Sequence, residues 1–220
     1  MTVMRVSTRL LFSLLLTAIL AAPATAKADD LNSVLARLNA AAKKFRTVSA
    51  SVEFDTVTLD PVLDHDIQKG TAYYERNGNS FKMAAHFHEH NGHAFAAAYN
   101  FIGGALHFYD GSEVRTYDAS KWQSYLILGF GASGTELAEK WDIKYLGSEM
   151  MDGVNVAKLE LVAKDPQVRK TIAKVTIWVD PDRGISLQQR FDESPSVYRT
   201  ARYSNFKLNV PLPAKAFELK

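Results

Sequence analysis

Residues 174–191 read KVTIWVDPDRGISLQQRF, and DESPSVYRTARYSNFKLNVPLPAKAFEL follows from Asp192 to Leu219. Val175, Ile177 and Val179 alternate with Thr176, Trp178 and Asp180, the period of two that marks a strand. Asp182-Arg183-Gly184 is a turn signal, and Ile185 to Phe191 is the returning strand. Trp178 falls on the face opposite Ile177 and Val179, so neither face of this hairpin is simply polar. An antiparallel sheet apolar on both faces needs cover on both, from its own curvature and from a helix or lid.

The same grammar runs back through the chain. Val48, Ala50, Val52 and Phe54 alternate with polar residues. Asn77-Gly78 and Asn91-Gly92 punctuate three runs, Gly70 to Arg76, Ser80 to His90, and His93 to Phe101. Gly103-Gly104, Asp110-Gly111 and Asp152-Gly153 turn the chain again. About ten strands joined by short turns predict a meander, one large twisted antiparallel sheet, closed or half closed. Leu59 to Gln68, polar and holding Pro61, reads as a loop. A helix precedes the strands: Asp29 or Asp30 can cap it, and Leu31, Val34, Leu35, Leu38, Ala42 and Phe45 make one apolar stripe. Two segments break the meander. Residues 122–141, WQSYLILGFGASGTELAEKW, are apolar and Gly-rich, then helical from about Thr135. Pro166 to Lys170 is a helical turn or a loop.

The N-terminus reads as an export signal. Arg5 and Arg9 form a basic region, Leu10 to Leu20 an apolar run too short to span a bilayer, and Ala24-Thr25-Ala26 a cleavage site. The expected organisation is a cleaved signal peptide over residues 1–26 and one domain over residues 27–220. Removing Arg5 and Arg9 takes the formal charge of +2 to zero, which leaves no electrostatic case for nucleic acid. The chain has no Cys. Disulfides, thiolate sites, Cys nucleophiles and a lipid anchor on a Cys after the signal are therefore excluded. The mature chain is expected to be soluble and exported, without an anchor.

Few residues suggest chemistry. Gly129, Gly131 and Gly134 have dinucleotide-fingerprint spacing but hairpins for neighbours, where the fingerprint needs parallel strands. Ser133 lacks the second glycine of a nucleophile elbow. Asp110, Asp152, Asp180 and Asp182 all lie at turns, and no catalytic constellation emerges; neither an enzyme nor a bound cofactor is expected. In HFHEHNGH, strict alternation puts His86, His88 and His90 on one face, with His93 just across the turn and Glu89 on the other face. Either a two- or three-His metal site or a solvated hairpin fits that pattern. Aromatics are abundant: Tyr73, Tyr74, Phe81, Phe87, Tyr99, Phe108, Trp178 and others serve either a well-filled core or an apolar cavity.

Taken in order, these pieces resemble the periplasmic outer-membrane lipoprotein carriers, the LolA-like lipoprotein-sorting proteins. The resemblance covers the mature chain. It rests on the N-terminal helix ending at Phe45, on Ser49-Ala50-Ser51-Val52-Glu53-Phe54, and on Gly70-Thr71-Ala72-Tyr73-Tyr74-Glu75-Arg76. It continues through Asp110-Gly111 with Tyr117-Asp118, Ile177-Trp178-Val179-Asp180, and the closing Tyr203 to Asn209 with Phe217-Glu218-Leu219. It implies a mainly β fold: an unclosed antiparallel β-barrel with an N-terminal helix and a helical lid over an apolar cavity. The cavity would hold lipoprotein acyl chains, received from an inner-membrane ABC lipoprotein-releasing complex and passed to an outer-membrane receptor, with the protein a monomer. Tyr74, Phe81, Phe108, Leu126, Leu128, Phe130 and Trp178 are the expected cavity and lid residues. Arg76, six after Gly70, inherits the family's lid-latching arginine. Asn77 stands where family members often have Pro, the His-rich hairpin is long, and LGFGASG differs from the usual lid. A divergent carrier of another lipid, a lipid or lipoprotein sensor of the same fold, and a His-cluster metal-binding protein are the alternatives.

Overall fold

The computed structural model describes residues 30–220 apart from Asn79; the expected signal peptide lies outside the described residues. Helix α1 spans Leu31–Lys44. Asp30 starts it through a capping box: its side chain accepts from the Ser33 amide at 2.8 Å, and the Ser33 hydroxyl accepts from the Asp30 amide at 3.0 Å. Lys43 and Lys44 close the last turn, where cations suit the helix dipole.

Eleven strands follow, one more than the approximate count drawn from the sequence. They are β1 (Thr47–Thr58), β2 (Asp64–Asn77), β3 (Ser80–His90), β4 (His93–Ile102), β5 (Ala105–Tyr109), β6 (Val114–Asp118), β7 (Trp141–Met151), β8 (Val154–Ala163), β9 (Lys174–Asp180), β10 (Ile185–Ser194) and β11 (Val197–Leu208). All belong to one antiparallel sheet in the order β6-β5-β4-β3-β2-β1-β11-β10-β9-β8-β7. Every neighbouring pair is consecutive in sequence except β1 and β11, where Val52 stands opposite Tyr203. The sheet does not close: β6 and β7 are its two free edges. The chain between them, residues 119–140, has to bridge the opening. It holds a 3-10 turn at Ser120–Trp122 and helices α2 (Gln123–Leu126) and α3 (Gly134–Lys140). Helix α4 (Pro166–Thr171) links β8 to β9, with Asp165 as its cap and Pro166 in its first turn.

Two expectations change. The polar stretch ending at Gln68 is strand from Asp64 onward, each residue to Gln68 paired with β1. The His-rich alternation also fails. A bulge in β3 leaves His88 unpaired, between Phe87 opposite Gly70 and Glu89 opposite Lys69. An extra residue reverses the parity of everything beyond it. His86 and Glu89 therefore share one face, and His90 lies on the other.

One continuous core fills the concave side, with Val48, Val52, Tyr74, Met83, Phe101, Leu159, Ile177 and Phe130 among its members. A smaller cluster, Val156, Trp178 and Leu187 with Phe206 against it, covers the opposite face of β8–β10. The tail after β11 crosses the convex side of β3 and β4. Asn100 Nδ2 donates to the Phe217 carbonyl at 2.7 Å, and Ala216 is buried. Among the described residues no helix is long and apolar enough to cross a membrane.

Candidate functional site

The concave face of the half-barrel keeps a cavity of about 350 Å³, and α2 roofs it. Tyr74, Met83, Tyr99, Phe108, Phe191 and Tyr203 line it from the strands, and Tyr125 and Leu126 from α2. These strand residues share the cavity because each sits at an inward position of its strand. The helix presents Tyr125 and Leu126 inward, with the Tyr125 ring 5.1 Å from Phe191.

The segment after α2 is held far more tightly than α2 itself. Phe130 is 1 % exposed; its ring stacks on Tyr74 at 4.0 Å and meets Tyr203 edge-on at 4.8 Å. Its backbone forms a bridge to Ile185, the Ser186 amide donates to Gly129 O at 2.6 Å, and Gly131 N donates to Gly184 O at 2.9 Å. Inside the barrel Gln189 Nε2 donates to the Leu128 carbonyl, Tyr203 donates to Gln189 Oε1 at 3.2 Å, and the Tyr74 and Tyr203 hydroxyls lie 3.4 Å apart. A buried polar chain thus ends on the lid backbone. Burial raises the Tyr74 and Tyr203 pKa values, which keeps both as hydroxyl donors and acceptors. Glycine is required at position 131. Its φ is +70°, and a Cβ there would fall 2.5 Å from the Phe45 ring.

Arg76 ties the same segment from the rim. Its Nη1 donates to Gly131 O at 2.6 Å and to Glu136 Oε2 at 3.0 Å; Nη2 donates to Glu136 Oε1 at 2.6 Å, and Nε to Gly78 O at 3.1 Å. Glu136 also belongs to the capping box of α3. Ser133 N donates to it at 2.8 Å, and the Ser133 hydroxyl accepts from the Glu136 amide at 3.1 Å. Burial alone would raise the Glu136 pKa, but the Arg76 and Ser133 hydrogen bonds bring it below the ordinary glutamate value. The start of α3 is therefore built around one carboxylate serving the helix cap and Arg76 together.

Of the residues expected at the site, Tyr74, Phe108 and Leu126 line the cavity. Phe81 packs beside Tyr74 at 6.0 Å, and Phe130 stacks on Tyr74 behind the cavity wall. Leu128 is fully buried in the core. Trp178 does not join them. It lies on the opposite face of the sheet, donates through Nε1 to Glu149, and has Lys158 over its ring at 4.8 Å. The histidines that alternation sets on one face, with His93 across the turn, are also divided. His90 holds Asp66 on the concave side, His86 lies beneath the C-terminal tail, and His88 and His93 are exposed or at the bulge. Among the described residues no three His, Asp or Glu side chains converge on a metal position. Sequence reasoning missed Glu136, although Ser133-Gly134-Thr135-Glu136 is a capping-box signature. It also missed Gln189, a polar residue with the inward parity of Phe191.

No protein-family model matches the chain, and no curated protein matches it in sequence. Solved structures do. An uncharacterized conserved protein from Thermus thermophilus aligns with a TM-score of 0.53 at 10% identity, over 86% of this chain and 93% of that one. MucB in the Pseudomonas aeruginosa MucA/MucB complex aligns with a TM-score of 0.51 at 12% identity, over 87% of this chain; the chain spans 62% of MucB's length. These two share its fold. A LolA superfamily protein from Nitrosomonas europaea aligns with a TM-score of 0.42 at 17% identity, over 86% of this chain and 98% of that one.

Proposed function

We propose that the protein is an exported periplasmic carrier that binds acyl chains in the lidded cavity and delivers them to the outer membrane. One observation carries this reading: an apolar space under a short helix whose following segment is latched to the barrel by Arg76. Tyr74, Phe108 and Leu126 would form the acyl-binding wall, and Arg76 the latch. Affinity is easily supplied, since each buried methylene contributes about 0.8 kcal/mol. Release is the demanding step, and a lid held by a few polar contacts is a two-state element whose balance a partner can shift. A lipoprotein-releasing complex on the inner membrane and an acceptor on the outer membrane would be those partners, as in the LolA-like carriers.

The likeness to MucB, solved with MucA, favours a second reading, in which an occupied cavity changes how the protein binds a regulatory partner. Both readings require a lipid in the cavity. The test is native mass spectrometry of protein purified from its host's periplasm, compared with Leu126→Asp, which sets a carboxylate on the cavity wall. Wild type should carry an acyl lipid and the variant should not. Protein that carries no lipid, and extracts none from vesicles, would sink both. Transfer of the bound lipid to outer-membrane vesicles separates the carrier from the sensor.

A further inference from the structure

The polar groups of the cavity divide into spent and unspent. Tyr74, Tyr203 and Gln189 are committed to the chain that ends on Leu128 O. Asp66 is taken by His90. Arg199 stands opposite both Thr56 of β1 and Phe191 of β10, pointing inward, and gives only Nη2 to the protein, to Glu193 Oε1 at 2.6 Å. Its Nε and Nη1 have no protein acceptor among the described residues. The same is true of the Tyr99 and Tyr125 hydroxyls, although both rings are largely buried on the cavity wall. Burial raises the pKa of each phenol while the nearby Arg199 charge opposes the rise, so one cation acts on both.

Arg199 also marks a boundary. It lines the apolar cavity and, on its other side, a polar vestibule of about 300 Å³ bounded by Thr56, Asp66 and Gln68. Phe54 and Tyr99 are common to the two spaces, so they adjoin. An apolar chamber leading to a guanidinium and two hydroxyl donors, with the nearby carboxylates already paired, is complementary to an amphiphile. Its tail belongs under α2 and its acceptor-rich head at Arg199. The space also limits the tail. A cavity of about 150 Å³ takes benzene, so this one has room for roughly a dozen carbons, a single chain.

We propose that the cavity and vestibule bind a single-chain amphiphile with an anionic head, carboxylate or phosphate, held by Arg199, Tyr99 and Tyr125. The proposal rests on the acyl-binding reading above and specifies its ligand. Glu193 keeps one guanidinium nitrogen occupied and fixes the direction of the other donors. A carboxylate or phosphate can then accept from Nη1 or Nε together with a tyrosine hydroxyl, the charge-assisted geometry that favours arginine over lysine.

The test compares two ligands by titration calorimetry, dodecanoic acid and its methyl ester, whose heads differ in charge. The acid should bind wild type about tenfold more tightly than the ester, the size of one charge-assisted hydrogen bond. Arg199→Met should erase that difference by weakening the acid more than the ester. Arg199→Lys should keep part of it, and Tyr99→Phe with Tyr125→Phe should narrow it. Titration of lauroyl lysophosphatidate beside dodecanoic acid tells whether the head is carboxylate or phosphate, and failure of both to bind would overturn the proposal. Equal binding of acid and ester by wild type would overturn the head site and leave the carrier reading standing. Binding of neither probe would overturn both. The wild-type comparison needs no variant, so it decides the matter even if Arg199→Met does not fold.

Discussion

Replacing Arg76 by leucine removes four hydrogen bonds at once, to Gly78 O, Gly131 O and both oxygens of Glu136. Their worth is unequal. The Glu136 side chain is 43% exposed against 18% for Arg76, so the ion pair is solvent-screened and counts for about 1 kcal/mol at most. The bond to Gly131 O is part-buried and charge-assisted, which makes it worth roughly 1.5 kcal/mol. Some of this is recovered as the leucine packs on the rim, leaving a loss of about 2 kcal/mol. At 1.4 kcal/mol per decade, that multiplies the open population of the lid by roughly thirty. The backbone bridge at Ile185 and the Gln189 bond remain, so the barrel itself should keep its fold. Hydrogen exchange read on peptides covering residues 128–140 should accelerate by that factor, with strands β8 and β9 unaffected. Arg76→Lys keeps the charge without the planar fork and should fall between the two. The pH dependence has a definite sign. The folded-state pKa of Glu136 is depressed, so its contribution is present above the ordinary glutamate value near ~4.3 and is lost as pH falls through the lower folded value. Wild type and Arg76→Leu should therefore differ by a constant factor from pH 8 to 5, and the difference should narrow as Glu136 protonates below that range, down to the share of the Gly131 O bond, which does not titrate. Equal exchange over residues 128–140 at pH 7 would refute the latch, since the contacts would then be those of an ordinary rim arginine.

Gly134→Ala should be disruptive despite its small size, because its Cβ would lie 2.3 Å from the Leu35 carbonyl oxygen of α1. Backbone cannot yield as a flexible side chain can, so overpacking of about 2 kcal/mol is expected, with Tm lower by roughly 4–8 °C; an unchanged Tm would show that α1 and α3 do not press together. Excess zinc should leave the melting curve of wild type unmoved, since the β3 bulge sends His86 and His90 to opposite faces. A zinc-dependent rise that disappears in the His86→Ala, His88→Ala double variant would contradict that separation.

Turn chemistry made the fold legible. Asn77-Gly78, Asn91-Gly92, Asp110-Gly111, Asp152-Gly153 and Asp182-Arg183-Gly184 each mark a real reversal between strands. Parity was less informative. Trp178 was separable from Ile177 and Val179 by alternation alone, but on a hairpin apolar on both faces nothing local says which face is concave. The bulge at His88 adds a residue without altering composition, so the alternation of HFHEHNGH continued in sequence after it had ended in space. Residues 64–68 pair as strand while carrying Asp64, His65 and Asp66, because β1 offers them a hydrogen-bonded edge beside a polar vestibule rather than an apolar core. Arg76 was reached only through resemblance to a family. Its partner Glu136 was open to reading from the capping box alone.

The pairing of the first strand with the last governs the order in which this molecule can be completed. The hairpins from β1 to β6 need only neighbours in sequence, and so do those from β7 to β11. The seam between β1 and β11 joins residues near the two ends of the sheet-forming chain, as Val48 opposite Leu208 shows. Non-local pairing of this kind is slow, because the entropy of closing the long loop is spent before its contacts are gained. Until Val197–Leu208 is available, β1 presents a twelve-residue edge with unpaired amides and carbonyls. A chain cut short of β11 retains that open edge permanently, and strand addition to other copies is its expected fate.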